Sequence, residues 1–157
     1  MLNKTHFVFG ILFGLLALPL VTIDSFFRYV IYFLLIALGV LLPDMDHSES
    51  YINRKLIITK IFAFVFKHRG FLHSIYFPLI LGIIMWLYFG FFYGFALFIG
   101  YISHILSDAL TVSGVNLLHP FSHLHIRGFV KTGSLLERII FYFVIGLIII
   151  RLYYLLF

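Results

Sequence analysis

The amino-acid sequence predicts an all-α fold: a polytopic membrane helical bundle of about five transmembrane helices plus an interfacial amphipathic helix. Of the 157 residues, 63% are hydrophobic and 11% are charged, and the mean hydropathy is +1.13. Soluble domains are about 45–50% apolar and about 25% charged, so a soluble fold of this length could not bury so much apolar surface. Because the apolar residues also form long runs, we predict a single integral membrane domain over residues 1–157.

Five apolar runs mark the predicted spans. They cover residues 7–23, 26–42, 75–89, 95–110 and 139–157, the third being slightly short. A helix needs about 17–25 residues to cross the hydrocarbon. The stretch 90–94 predicts a turn between the third and fourth spans. Lys4 precedes the first run but no A-x-A pattern follows, so we expect a retained helix rather than a signal peptide.

The segment 54–67 differs from these spans. Its apolar residues, such as Ile57, Ile58 and Ile61, recur at helical spacing among lysines. This pattern predicts an amphipathic helix lying in the membrane interface. The lysines argue against the alternative, a short re-entrant or spanning piece.

The number of histidines is higher than a plain membrane anchor would explain. The chain has 8 His, 6 acidic residues and no Cys, so any metal must be held by His, Asp and Glu. With five antiparallel spans, every His and every acidic residue except Asp24 falls at the same membrane face. Ionisable groups near hydrocarbon are costly and usually functional.

The basic residues predict which face this is. All but Arg28 and Arg151 of the 11 Lys and Arg lie on the same side as the histidines. The positive-inside rule makes this side cytoplasmic, with the N-terminus inside and the chain in the cell (inner) membrane. We therefore interpret the net charge of +5 as topology and expect no nucleic-acid partner.

Short patterns on that face carry the candidate ligands. They are His104-x-x-x-Asp108 in the fourth span, Asp44, Asp46 and His47 after the second, and His68, Arg69 and His73 before the third. Residues at i and i+4 share a helix face, so the first pair can meet at one ion. Each pattern alone also suits an ordinary hydrogen bond, turn or interfacial contact. Together they predict a metal centre, for which imidazole and carboxylate favour zinc first, then manganese or iron, with two ions conceivable.

An ordered set of blocks runs along nearly the whole chain. The blocks are Thr5-His6, Leu42-Pro-Asp-Met-Asp-His47, His68-Arg69-Gly70 through His73-Ser74, Gly100-Tyr-Ile-Ser-His104 through Asp108, Thr111, Gly114-Val115 through Pro120-Phe121, and Gly133-Ser134 before Glu137. This set resembles the YdjM-like family of membrane-bound metal-dependent hydrolases. The resemblance implies a helical membrane fold with a His/Asp metal centre. The H-x-x-x-D element is also similar to that of zinc-dependent phospholipase C and single-strand nucleases.

We accordingly expect a metal-dependent hydrolase that acts on a phosphoester or phospholipid headgroup at the cytoplasmic membrane face, with membrane lipids as partners. The expected metal ligands are His6, Asp44, His68, His73, His104 and Asp108. The expected catalytic or supporting residues are Asp46, His47, Arg69 and Glu137, with Arg69 steadying phosphate charge. We assign no role to His119, His123 and His125.

Two other interpretations stay open at this point. A metal ion transporter, or a metal-handling membrane protein without hydrolase activity, should carry polar ligands near the midplane and on both sides. The far side offers only Asp24 and Arg28. The third interpretation is a structural protein whose histidines are merely interfacial, which would leave costly polar groups near hydrocarbon.

Overall fold

The apolar runs form helices because hydrocarbon offers no partners for backbone N–H and C=O groups, which a helix satisfies internally. The computed structural model describes residues 1–46, 71–122 and 124–157, without the side chains of Met45 and Asp46. The helices in these ranges are α1 (Asn3–Ala17), α2 (Phe26–Leu41), α3 (Tyr76–Phe89), α4 (Phe91–Ala109) and α5 (Leu135–Leu156). Short 3-10 helices cover Leu18–Leu20, Leu42–Asp46 and Phe71–His73.

The predicted fold class, a membrane helical bundle, is confirmed. Four segments, Asn3–Leu20, Phe26–Asp44, Phe91–Ala109 and Leu135–Leu156, are long and apolar enough to cross a membrane. Helix α3 has 14 residues, which makes it about 21 Å long, shorter than the roughly 30 Å hydrocarbon core. The predicted interfacial helix at 54–67 lies outside the described residues.

Three helices begin about four residues earlier than the apolar runs predict: α1 at Asn3, α4 at Phe91 and α5 at Leu135. Helix α4 starts at Phe91 because Gly90 alone, at φ +102°, makes the turn from α3. A positive φ of this kind favours glycine. Helix α5 starts at Leu135 because the Ser134 hydroxyl accepts the Glu137 N–H and caps the helix.

Helix α4 lies at the centre of the bundle and packs against α1, α2 and α3. The crossing with α2 is very close: a Cβ on Gly100 would overlap the carbonyl of Ile36, and a Cβ on Gly39 would lie 2.8 Å from the Tyr101 nitrogen. Small residues at such crossings let the two backbones approach, which is how helices associate in lipid.

Helix α5 lies at the edge of the bundle and packs on α1. Arg151 Nε donates to the carbonyl oxygen of Leu15 at 3.3 Å, so it satisfies an acceptor in the last turn of α1. Between α4 and α5 runs what we call the connecting segment, residues 111–134. It contains a two-stranded antiparallel sheet of β1 (Val115–Asn116) and β2 (His125–Ile126), with Val115 opposite Ile126.

The bundle brings one end of every helix to the same place. The start of α1, the turn after α2, the turn before α3, the end of α4 and the start of α5 meet there, as the contacts between His6 and Asp108, His104 and Asp44, and Thr5 and Glu137 record. The connecting segment folds back onto this end, where the Val130 N–H donates to the Leu110 carbonyl at 3.0 Å.

Candidate metal centre

Five side chains from four parts of the fold converge at this end. They are His6 of α1, Asp44 after α2, His73 before α3, and His104 and Asp108 of α4. We call them the His–Asp cluster. Its members form two overlapping groups of possible ligands, His6 with His104 and Asp108, and Asp44 with His73 and His104. Within each group the ligand atoms all lie within 4.8 Å of one another.

Burial is the first property of the cluster. His6, His73, His104 and Asp108 are all buried, and Asp44 is partly buried. The rings of His6 and His104 stack with their centroids 3.8 Å apart, and His73 meets His104 edge-on at 5.7 Å. Ionisable groups this deep need compensating charges or hydrogen bonds.

A backbone carbonyl orients the imidazole of His104. The Val40 oxygen lies 2.7 Å from His104 Nδ1. Because a carbonyl only accepts, Nδ1 carries the proton, and in the neutral ring Nε2 is then a bare lone pair. That Nε2 atom is buried and has no hydrogen-bond partner among the residues that the structure describes. It lies 3.6 Å from Asp44 Oδ1 and 3.8 Å from Asp108 Oδ2.

A serine hydroxyl orients the imidazole of His6. Ser107 Oγ donates its proton to the His104 carbonyl at 2.8 Å, so it accepts from His6 Nδ1 at 2.6 Å. The neutral ring then presents the lone pair of Nε2, which lies 3.3 Å from Asp108 Oδ1. Both histidines are therefore held in the tautomer that leaves Nε2 available as a ligand.

When the rings of His6 and His104 are neutral, the cluster thus gathers two nitrogen lone pairs and two carboxylates, which are all acceptors. Two atoms that each bind one tetrahedral zinc ion at 2.0–2.2 Å lie roughly 3.4 Å apart. The nitrogen–oxygen distances in the cluster run from 3.3 Å between His6 and Asp108 to 3.8 Å between His104 and Asp108. The Met1 amino group also contacts Asp108 Oδ1, at 2.6 Å. In chemistry and spacing these side chains fit a zinc-type ion.

The carboxylate of Glu137 accepts hydrogen bonds outside the His–Asp cluster. Its Oε1 accepts the Leu2 N–H at 2.7 Å and the Thr5 hydroxyl at 2.9 Å, and its Oε2 accepts the Gly133 N–H at 2.6 Å. Glu137 belongs to neither group of possible ligands in the described residues. It joins the start of α1, which carries His6, to the start of α5.

The remaining predicted residues fall beyond the described part of the chain. His47, His68, Arg69 and the side chain of Asp46 lie outside it, as does His123, so their predicted roles stay predictions. His125 is exposed, and its Nδ1 lies 2.8 Å from Asn116 Oδ1. The structure brings neither His119 nor His125 into the cluster.

Sequence reasoning missed the groups that orient the histidines. Ser107 lies three residues after His104 and one before Asp108, and this spacing could have flagged it as a neighbour on the same helix face. The Val40 carbonyl carries no such signal, because any residue type supplies the same backbone oxygen. The Tyr101 hydroxyl, which donates to the Leu72 carbonyl at 2.8 Å and so holds the turn of His73, was also missed.

Comparison with known proteins decides the family. A family model described as "YdjM inner membrane protein" matches residues 1–156. The chain belongs to the YdjM family of inner membrane proteins. This membership agrees with the apolar helices in giving it a membrane location.

The relatives of this chain match it over different lengths. "Uncharacterized protein YvsG" of Bacillus subtilis (strain 168) is 37% identical over 127 residues, which is 75% of this chain and 74% of that protein. The proteins named "Inner membrane protein YdjM" of Escherichia coli (strain K12) and Shigella flexneri are each 41% identical over 87 residues, or 51% of this chain. Those matches span 44% of each YdjM protein, less than half its length. No solved structure matches the chain significantly.

Proposed function

We propose that this YdjM-family chain is a membrane-bound, metal-dependent hydrolase that acts on a phosphoester, with a phospholipid headgroup as the favoured substrate. The observation that supports the metal is the convergence of His6 and His104 Nε2 on the carboxylates of Asp44 and Asp108. Acceptors that face one another in a buried site repel unless cations lie among them. The Met1 amino group supplies one positive charge at Asp108 Oδ1, and a bound zinc-type ion would supply more. The hydrolase chemistry rests on the family resemblance and on the likeness of His104-x-x-x-Asp108 to phospholipase C.

The residues in and around the cluster would have the following roles. Nε2 of His6, His73 and His104 and the oxygens of Asp44 and Asp108 would hold the ion, while Ser107 and the Val40 carbonyl keep two of the rings in the binding tautomer. When bound, a zinc-type ion lowers the pKa of water to about 7 and polarises a phosphoryl oxygen. Glu137 fixes the start of α1 and thereby the position of His6.

Metal content is the first test. Detergent-purified wild-type protein is expected to carry stoichiometric zinc by elemental analysis, and Asp108→Asn and His104→Ala are expected to lose it. Asp24→Asn and His125→Ala make the same changes at exposed positions outside the cluster and should keep the ion. Circular dichroism checks that each variant is helical. Stoichiometric zinc in folded Asp108→Asn would contradict the site.

Hydrolysis is the second test. The zinc-loaded protein in detergent or liposomes is screened on soluble phosphoesters and on phospholipids, with a chelator and with Asp108→Asn as controls. We expect release of phosphate or headgroup that both controls abolish. A metal-loaded protein that cleaves none of these substrates would refute the hydrolase while leaving the metal centre in place.

Metal transport is the alternative, and the position of the cluster argues against it. The cluster lies at one end of the bundle, whereas a transporter binds its cargo near the bilayer midplane. Zinc flux into liposomes loaded with a zinc-sensitive dye discriminates between the two. Flux that Asp108→Asn abolishes would favour transport over hydrolysis.

We propose further that the cluster faces the cytoplasm. Lys4, Arg127, Lys131 and Arg138 lie towards its end of the bundle, whereas Arg28 and Arg151 lie towards the other end, as the positive-inside rule requires.

The chain contains no Cys, so single introduced cysteines report the membrane topology without background labelling. In intact cells an impermeant maleimide should label Thr22→Cys in the loop between α1 and α2 and spare Thr132→Cys. The reverse pattern would overturn the orientation.

A further inference from the structure

The connecting segment exposes large apolar side chains beside the His–Asp cluster. Phe121 is 81% exposed, Phe129 is 73% exposed and Leu124 is 49% exposed. These residues are in a loop, outside the apolar helices that face lipid. Several large apolar side chains exposed within a short stretch of chain mark a surface that contacts a partner or a membrane.

Basic residues alternate with these apolar residues. Arg127 lies between Leu124 and Phe129, Lys131 follows, and both are exposed. The described part of the segment, residues 111–122 and 124–134, contains no Asp or Glu. An apolar surface interspersed with cations is the composition that inserts at the boundary between anionic headgroups and acyl chains.

The segment is held against the bundle rather than projecting from it. The Val130 N–H donates to the Leu110 carbonyl at the end of α4 at 3.0 Å. Within the segment, the Gly128 N–H donates to the Thr111 carbonyl and the Val112 N–H to the Val130 carbonyl, each at 3.0 Å. At its other side the Ile75 N–H donates to the Leu117 carbonyl at 2.9 Å, and the rings of Tyr76 and Phe121 meet at 5.2 Å. These bonds tie it to two helices of the membrane bundle, so it lies at the level where the helices leave the hydrocarbon.

The segment is also linked directly to the cluster. The Thr111 hydroxyl donates to the Asp108 carbonyl at 2.7 Å, so the segment begins within one turn of a proposed ligand. Leu135, the first residue of α5, is also 70% exposed.

We propose that the connecting segment lies in the headgroup layer of the bilayer, with Phe121, Leu124 and Phe129 among the upper acyl groups and Arg127 and Lys131 at lipid phosphates. The His–Asp cluster then receives its substrate from the bilayer, and its preferred substrate class is a phosphoester that remains in the membrane rather than a soluble one. The substrate half of this inference rests on the proposed hydrolase function; the position of the segment does not.

Fluorescence tests the position. Trp86 is the single tryptophan, so Trp86→Phe gives a silent background in which Phe121→Trp or Phe129→Trp reports one site. In liposomes of mixed neutral and anionic phospholipids, both probes should emit at short wavelength and be quenched by lipids brominated near the headgroup. Thr132→Trp, at an exposed polar position of the same segment, is the matched control and should respond to aqueous iodide instead.

Two results would overturn the inference. Quenching of the Phe121→Trp and Phe129→Trp probes by iodide would place the segment in water. Short-wavelength emission without quenching by brominated lipid would mean that protein covers this surface, either a second copy or another chain.

Activity tests the substrate class separately. Phe121→Asp with Phe129→Asp should reduce hydrolysis of liposomal phospholipid at least tenfold while hydrolysis of a short-chain, water-soluble phosphoester stays within about twofold of wild type. An equal loss of hydrolysis on both substrates would contradict the proposal that the segment brings lipid substrates to the cluster. Hydrolysis of neither substrate by the wild type, with the probes nevertheless quenched by lipid, would refute the proposed function and leave the position of the segment standing.

Discussion

At the scale of single residues, the chemistry of the cluster depends on atoms that are not ligands. Ser107 has one hydroxyl proton, and because the His104 carbonyl takes it, the same oxygen must accept from His6. One serine therefore sets the tautomer of a histidine on another helix. Partners of this kind fix the ring orientation and raise the basicity of metal-binding imidazoles.

Replacing Ser107 should therefore weaken metal binding without removing a ligand. We expect Ser107→Ala to lower zinc affinity about 10–100-fold, the usual cost of losing such a partner. A competition titration with a chromogenic chelator measures it. Ser103→Ala is the control, since Ser103 is equally buried on α4 but donates to the Gly100 carbonyl. Equal zinc affinity of the Ser107→Ala and Ser103→Ala proteins would show that Ser107 does not orient His6.

At the scale of the helices, glycines decide how close α2 comes to α4. Val40 and Asp44 reach His104 only because Gly39 and Gly100 let the two backbones touch. Two further glycine pairs, Gly10 with Gly14 and Gly90 with Gly94, have the four-residue spacing that permits close helix packing. Gly10 does lie against Val40 and Ile36, and Gly94 against Trp86, but Gly90 makes the turn.

A methyl group at this crossing should disturb both the fold and the site. Gly100→Ala would place a Cβ against the backbone of Ile36, and overpacking of this kind costs typically about 1–3 kcal/mol. We expect a lower thermal midpoint in detergent and weaker zinc binding. Gly146→Ala on α5 meets open space and should leave the midpoint unchanged or slightly higher. Similar midpoints for the two variants would argue against the close crossing.

At the scale of the whole molecule, the cluster links helices that are far apart along the chain. Its members come from α1, the turn after α2, the turn before α3, and α4. An ion held by all of them binds the assembled bundle and not the separated helices, so its binding free energy adds to the stability of the folded state.

Zinc should therefore stabilise the entire bundle. At a free zinc concentration of 100 times Kd the gain is about 2.7 kcal/mol. The thermal midpoint of chelator-treated protein, followed by circular dichroism in detergent, should rise when zinc is added and fall again with excess chelator. Asp24→Asn should respond like the wild type and Asp108→Asn should not respond. A zinc-independent midpoint in the metal-loaded wild type would contradict an ion shared by several helices.

The sequence alone determined the membrane nature of the chain, its helical class and the approximate bounds of its spans. These depend on hydrophobicity, which is a sum over neighbouring residues and needs no knowledge of contacts. The alternation of span direction also predicted that the histidines and carboxylates collect at one end. The starts of α1, α4 and α5 shifted to Asn3, Phe91 and Leu135. The last two shifted because the turn at Gly90 and the cap at Ser134 are decided by single backbone and side-chain contacts.

The tertiary structure decided which of those polar residues meet and which of their atoms stay available as metal ligands. The pairing of His6 with Ser107 joins positions 101 residues apart, and that of His104 with Val40 joins positions 64 apart. Glu137 was expected to support chemistry, yet its oxygens accept three hydrogen bonds at the junction of α1 and α5. Local sequence patterns cannot specify such contacts, because hydrogen-bond direction and tautomer depend on atoms that only helix packing brings within reach.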